Sequence, residues 1–317
     1  MPNWNELLTE LQRQGTPHDI IRRRYLAALS QLTGRNTIVY YSAWLQKPQF
    51  FQQTLEPFTV NDQDTNGFMA TIHNMDRTKG LDLFLHTPGG DVAATESLVT
   101  YLRSMFGTNI RAVVPQIAMS AGTMIACACN EILMGQHSSI GPVDPQIGGV
   151  AAHGIIEEFR RAADEIRADP AKIPVWQPII NKYHPTLIGE SQKAIQMADD
   201  MVRQWLMTGM FAGTSRPGPK ARANRVLADL ASHNQTLSHA RHIDIAHALA
   251  LGLNVTSFES NNVLQDAMLT VHHLCMQTLA DTAVVKLIEN QEGVLFAQSL
   301  ALQALPMSPA QAQPQGH

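Results

Sequence analysis

The sequence predicts an α/β fold with a parallel sheet, on three observations. Short apolar runs at Leu81–Leu85, Ile110–Val114 and Glu131–Met134 read as strands. Between them, Asp91–Met105 and Ala118–Ala128 carry apolar residues at helical spacing. The links are short, so consecutive strands are joined by helical crossovers, which parallel pairing requires. Two strand-to-helix turns, Thr87-Pro88-Gly89-Gly90-Asp91 and Met119-Ser120-Ala121-Gly122, then fall at one edge of the sheet. That edge is where α/β proteins place their sites.

The remaining elements follow in order. Residues 3–31 have helical periodicity, divided at Pro17 with Thr16 as a cap. Thr37–Tyr41, rich in β-branched and aromatic residues, is the first strand. Lys47–Phe58 is ambiguous. Asn61–Asp64 is placed to cap a helix carrying Phe68, Met69, Ile72 and Met75. Gly135–Gly149 is turn-rich. Helices are expected at Gly154–Arg167, Gly189–Phe211, Lys220–Ser232, His242–Leu251 and, as one long element, Asn261–Glu289. Gly293–Ser299 is expected as a closing strand, and the tail 301–317 has the composition of a disordered end.

Composition narrows the function classes. The chain has 317 residues, 44% hydrophobic and 16% charged, enough for a large buried core. A net charge of -4 without a basic stripe argues against nucleic-acid binding; Arg22-Arg23-Arg24 reads as a solvated helix face. No run has the 18 to 20 apolar residues of a membrane span, and the first residues lack a secretory leader pattern. Cys127, Cys129 and Cys275 form neither a disulfide framework nor zinc spacing, so buried thiols in a cytoplasmic protein are expected. The 13 histidines show no metal-binding spacing, and no cofactor is expected. A phosphate-binding loop is also missing, so any nucleotide-driven unfolding would have to come from a partner.

The two turns carry the chemistry. A serine hydroxyl needs a base, a fixed orientation and a place for an oxyanion before it can attack a carbonyl. Ser120 at the start of a helix meets free N–H groups and positive potential. Ala118, Ala121 and Gly122 leave room for a substrate backbone, and Gly89-Gly90 can present an amide to the same point. Each feature alone is more commonly a cap or a turn; their occurrence one β-α unit apart points to acyl transfer. The lipase elbow G-x-S-x-G is not matched, because residue 118 is alanine.

The segments LFLHTPGGDV, VPQIAMSAGTMIACACNEILM and HSSIGPVDPQI resemble the Clp-fold serine peptidases: the Clp protease subunit, signal peptide peptidase A and, most closely, the serine dehydrogenase proteinase branch. The resemblance covers roughly residues 36–255 and is specific over 81–147. It implies a Clp/crotonase-like repeated β-α superhelix at 36–255, a helical N-terminal extension at 1–35, and a C-terminal helix and strand at 256–300. It also implies Ser120 as nucleophile, the Gly90 and Ala121 amides as oxyanion hole, a peptide or protein substrate, and a homo-oligomer. Gly89, Asp91 and Asp144 are expected at the substrate groove, although a turn-stabilising role explains Asp144 as readily.

The base does not follow from the Clp subunit pattern, since Val143 and Asn234 stand where its histidine and aspartate would be. A Ser-Lys dyad of the signal peptide peptidase type is therefore expected. Its lysine must be buried enough to be neutral. Lys182, ending the apolar run Ile179-Ile180, is the choice over Lys172 and Lys193, with His184, His137 and His86 in reserve. A crotonase-like acyl-CoA enzyme and a non-catalytic scaffold are the rival readings; the serine and the missing glutamate pair weigh against the former.

Overall fold

The computed structural model describes residues 18–230 and 241–300. The expected helix before Pro17, the end of the helix reaching Ser232 and the tail lie outside these residues. A seven-stranded sheet organises the rest. Its strands are β1 (Asn36–Ser42), β2 (Leu81–His86), β3 (Ile110–Val114), β5 (Glu131–Met134), β9 (Val255–Ser257), β10 (Val284–Asn290) and β11 (Leu295–Ser299), in the order β11-β10-β1-β2-β3-β5-β9. From β1 to β9 all pairings are parallel, whereas β10 and β11 join antiparallel.

Alternation along the strands separates two apolar layers. Ile38, Tyr40, Leu81, Leu83 and Leu85 face one side. There they meet α3 (Asp64–Ile72), α4 (Val92–Phe106), α5 (Ala121–Ala128) and α8 (Leu187–Thr208). Val39, Tyr41 and Phe84 face the other side, covered by α1 (His18–Thr33) and α11 (Asn262–Asp281). Both faces of β1 and β2 are therefore buried, as parallel strands require. α11 serves this core: Met268, Val271, Cys275 and Leu279 are buried in it.

Several local expectations are corrected. The single helix expected over Asn261–Glu289 ends at Asp281, and Val284–Asn290 is a strand paired with β1. Its apolar positions Val284, Leu287 and Ile288 fall at helical spacing, so the run continues the helical pattern of the preceding segment. The turn-rich stretch after β5 contains β6 (Ser139–Ile140) and a hairpin of β7 (Gln146–Ile147) and β8 (Val150–Ala151). α6 (Ala152–Ala168) follows, and the expected link beyond it holds a further helix, α7 (Ile173–Ile180). The ambiguous stretch before Asn61 holds α2 (Pro48–Phe51) and a 3-10 turn, Glu56–Phe58. α9 (Pro219–Leu230) and α10 (Ile245–Leu251), which ends at the left-handed Gly252, complete the helices.

Arg22 is not on a solvated face. Its side chain is 1% exposed, and both it and Arg23 donate to the buried carboxylate of Glu289. Burial also raises the thiols of Cys127, Cys129 and Cys275 to about 12, leaving them protonated and unreactive. No described helix is long and apolar enough to cross a membrane.

Candidate active site

The two turns singled out in the sequence are joined by backbone hydrogen bonds. Beyond β2, Thr87 forms a parallel bridge with Ala118 of the short strand β4 (Ile117–Ala118). The Met119 amide donates to the Thr87 carbonyl at 3.0 Å, and the Thr87 amide to the Ile117 carbonyl at 3.4 Å. The next residues along each chain are Pro88-Gly89 and Ser120, which this pairing forces together. A Cβ on Gly89 would lie 2.7 Å from the Ser120 Cβ and 3.1 Å from the Ala121 nitrogen. Glycine at 89 is thus required by contact, and its φ of +105° is one that side chains rarely adopt.

Ser120 itself is strained. Its φ is +49° and its ψ -113°; among the described residues only Asn74 shares a positive φ without being glycine. Such a backbone persists only where surrounding structure enforces it, and it concentrates at functional sites. The sharp bend between β4 and α5 aims a half-buried side chain outward at the helix start. Small neighbours make the bend possible. A Cβ on Gly122 would meet the Thr87 Cγ2 at 2.6 Å, and one on Gly141 would meet Met119. Thr123 Oγ1 then ties the turn together by donating to the Ala118 carbonyl and accepting from the Gly141 amide, both at 2.9 Å.

Gly90 is held from the other side. The Val60 amide donates to the Gly89 carbonyl at 2.8 Å and the Asp91 amide donates to the Val60 carbonyl at 2.9 Å. In a parallel bridge those bonds use the groups flanking the central residue, so the N–H of Gly90 itself faces away from Val60. Ala121 is the first residue of α5, where a helix leaves its N–H groups without intrahelical acceptors. Two backbone donors and the positive end of a helix dipole thereby flank the Ser120 hydroxyl.

These residues open on a groove of about 620 Å³ whose walls include Phe51, Leu55, Pro88, Val92, Pro145 and Ala194. Gly89, Gly90, Asp91 and Ser120 line it together. Asp91 also caps α4 by accepting from the Ala94 amide at 2.7 Å. Gln146 and Thr59 line the groove as well. Gln146 belongs to the HSSIGPVDPQI segment, whereas Thr59, Phe51, Leu55 and Ala194 carried no sequence signal, because each enters from a separate element. Asp144, expected at the groove, is instead 1% exposed, and the chain presents its neighbours Pro145 and Gln146 to the opening.

Among the described residues, no base is brought to the serine. No lysine or histidine stands among the described lining residues. Lys182, expected to be buried, lies exposed in the turn after α7. Lys172 is exposed and 3.2 Å from Glu165. Lys193 is exposed too, but it adjoins Ala194 of the groove wall. His184 is exposed and bonded to Thr186, and exposed His137 lies 3.5 Å from Glu259. His86 points to the opposite face of the sheet, stacked on Tyr41 and tilted against Trp44, and burial pushes its pKa down to about 3. Among the described residues, no three His, Cys, Asp or Glu side chains gather as metal ligands.

A strained serine at a helix start, beside two unengaged turn amides and an open groove, defines an acyl-transfer geometry on an α/β scaffold. The chain belongs to the family of ClpP-like SDH-type serine proteinases, which it matches over residues 56–288. Membership implies the Clp fold for this mostly parallel sheet. Two relatives from Methanocaldococcus jannaschii are similar over shorter stretches. The uncharacterized protein MJ0137 is 36% identical over 125 residues, 37% of this chain and 43% of that protein. The uncharacterized protein MJ1495 is 31% identical over 147 residues, 46% of this chain and 45% of that protein. The chain thus spans less than half the length of these curated relatives.

Proposed function

We propose that this chain is a serine peptidase that cleaves peptide bonds through an acyl-enzyme. Ser120 attacks the scissile carbonyl, the amides of Gly90 and Ala121 hold the oxyanion, and water then releases the acyl group. The observation that carries this reading is the strained Ser120 backbone pressed against Gly89 between those two amides. An extended peptide lies in the groove against Gly90, with Asp91 and Gln146 at its polar margin. The Clp/crotonase-like superhelix and assembly into a homo-oligomer belong to the same proposal.

The proton acceptor in this reading is a lysine of the stretch from α7 to α8. Lys182 is the first choice, its burial to be completed by bound substrate or a neighbouring copy. Lys193 is the second, because its neighbour Ala194 lines the groove. Labelling by a fluorophosphonate tests the nucleophile: wild type is expected to label and Ser120→Ala not to. A folded wild type that resists the probe would remove the peptidase reading. Lys182→Ala is expected to abolish labelling while Lys172→Ala and Lys193→Ala retain it. Loss only in Lys193→Ala would transfer the role to that residue.

A further inference from the structure

Apart from the groove, the most unusual group in the molecule is a lysine with no solvent exposure. Lys286 of β10 donates from Nζ to Asp64 Oδ1 at 2.7 Å and to the Thr59 carbonyl at 2.7 Å. Asp64 Oδ2 accepts from the Tyr40 hydroxyl at 2.7 Å and from the Asn61 amide at 3.1 Å. Ser42 Oγ, whose residue pairs with Lys286 across β1 and β10, donates to the Phe58 carbonyl. Side chains of the sheet grip the backbone at residues 58 and 59, and Asp64 of α3 grips it at 61. The residue left between them, Val60, is the one paired with Gly90.

Burying an ion pair is poorly explained by stability, because an apolar pair of the same shape commonly serves as well or better. A pair retained in the core needs another use, and its contacts here converge on the support of one turn. We propose that Lys286 and Asp64 are positioning residues for the Gly89–Gly90 turn. They fix Thr59–Val60–Asn61, and Val60 in turn fixes the direction of the Gly90 amide and the approach of Gly89 to Ser120. Residues more than 200 apart in sequence are coupled in this way to the oxyanion position. The catalytic consequence rests on the peptidase reading above; the mechanical one does not. Lys286 is no alternative base, since its ammonium is engaged by Asp64 and Thr59 and does not line the groove.

The test is the double variant Lys286→Met with Asp64→Asn, which removes both charges and keeps the shapes. Amide hydrogen exchange at Val60 and Asp91 is expected to speed up about tenfold, reporting the loosened bridge without reference to activity. Fluorophosphonate labelling of Ser120 is expected to slow roughly 100-fold, the scale of an ångström of misplacement at a reacting centre. With a peptide substrate, kcat should fall and KM stay put, the pattern of a contact made only in the transition state. Arg111→Met is the control for plain destabilisation. It breaks a buried cluster on Asp82 at the opposite edge of the sheet and should leave labelling unchanged.

A folded double variant with wild-type exchange at Val60 and Asp91 would overturn the proposal. Faster exchange with wild-type labelling would overturn its catalytic part. A wild type that never labels would instead sink the peptidase reading, while the exchange measurement still decides whether the strut exists. If the double variant does not fold, Tyr40→Phe takes its place. It removes a single hydrogen bond from Asp64 and should move the same readouts in the same direction by several-fold.

Discussion

Replacing Gly89 by alanine examines the contact on which the site is built. The added Cβ would stand 2.7 Å from the Ser120 Cβ, 3.0 Å from the Met119 carbonyl oxygen and 3.1 Å from the Ala121 nitrogen. Ordinary contact begins near 3.4 Å, so Ser120 and Gly89 must separate by at least about 0.7 Å. None of the three neighbours is the free end of a flexible side chain, and two of them belong to the backbone that carries Ser120. The φ of +105° adds strain of about 1–3 kcal/mol. That is within the roughly 5–15 kcal/mol by which domains are stable, so the variant should fold with a lowered melting temperature. A displacement approaching an ångström at the reacting centre costs on the order of 100-fold in rate. The assay is the second-order rate of fluorophosphonate labelling, beside thermal unfolding of the same sample. Wild-type labelling by a folded Gly89→Ala protein would refute the claim that close packing of the two turns positions Ser120.

Two further predictions concern stability. His86 and His272 are buried together with Tyr41, and burial holds both below their ordinary range, His86 at about 3. The unfolded chain takes up these protons near pH 6.5 and the folded chain does not. Stability present above pH 6.5 is therefore lost as pH falls toward 3, by about 1.4 kcal/mol per pH unit per histidine. Urea unfolding at pH 7.5 and 5.5 should show this loss, and His86→Phe should shrink it; equal pH slopes in the two proteins would contradict the assignment. Arg103, half-buried, donates to the Ala128 carbonyl at the end of α5 and to the Trp205 carbonyl near the end of α8. Arg103→Met should cost about 2 kcal/mol in urea unfolding through these lost charge-assisted bonds, while Ser120 labelling, at the far end of α5, stays intact.

The legible parts of this sequence were those in which local pattern and backbone demand coincide. β2, β3 and β5 and the helices between them were readable because each combines periodicity with a turn residue of fixed purpose. The pairing of Ser120 with Gly89 and Gly90 was readable for the same reason: both turns need small residues, and successive β-α units put them at one edge. β10 was not readable, since its apolar positions satisfy a helical spacing until the sheet shows that both faces are buried. Asp64 looked like part of a helix start and proved to be the partner of a lysine 222 positions away.

That failure and the unresolved base share a cause. A lysine's function depends on what surrounds it, and nothing within a few residues of Lys182, Lys193 or Lys286 reports burial. The chain's fully buried lysine lies in a stretch that local periodicity assigned to a helix, and it grips the backbone at Thr59, beside the residue paired with Gly90. The lysine expected to be buried lies in an exposed turn. Chemistry set by the local backbone could be read residue by residue, whereas chemistry set by desolvation could be read only after the chain was folded. The proposed nucleophile, Ser120, and its proposed amide donors belong to the first kind. The proton acceptor belongs to the second, so titrating the labelling rate against pH in lysine variants is the measurement that reaches it.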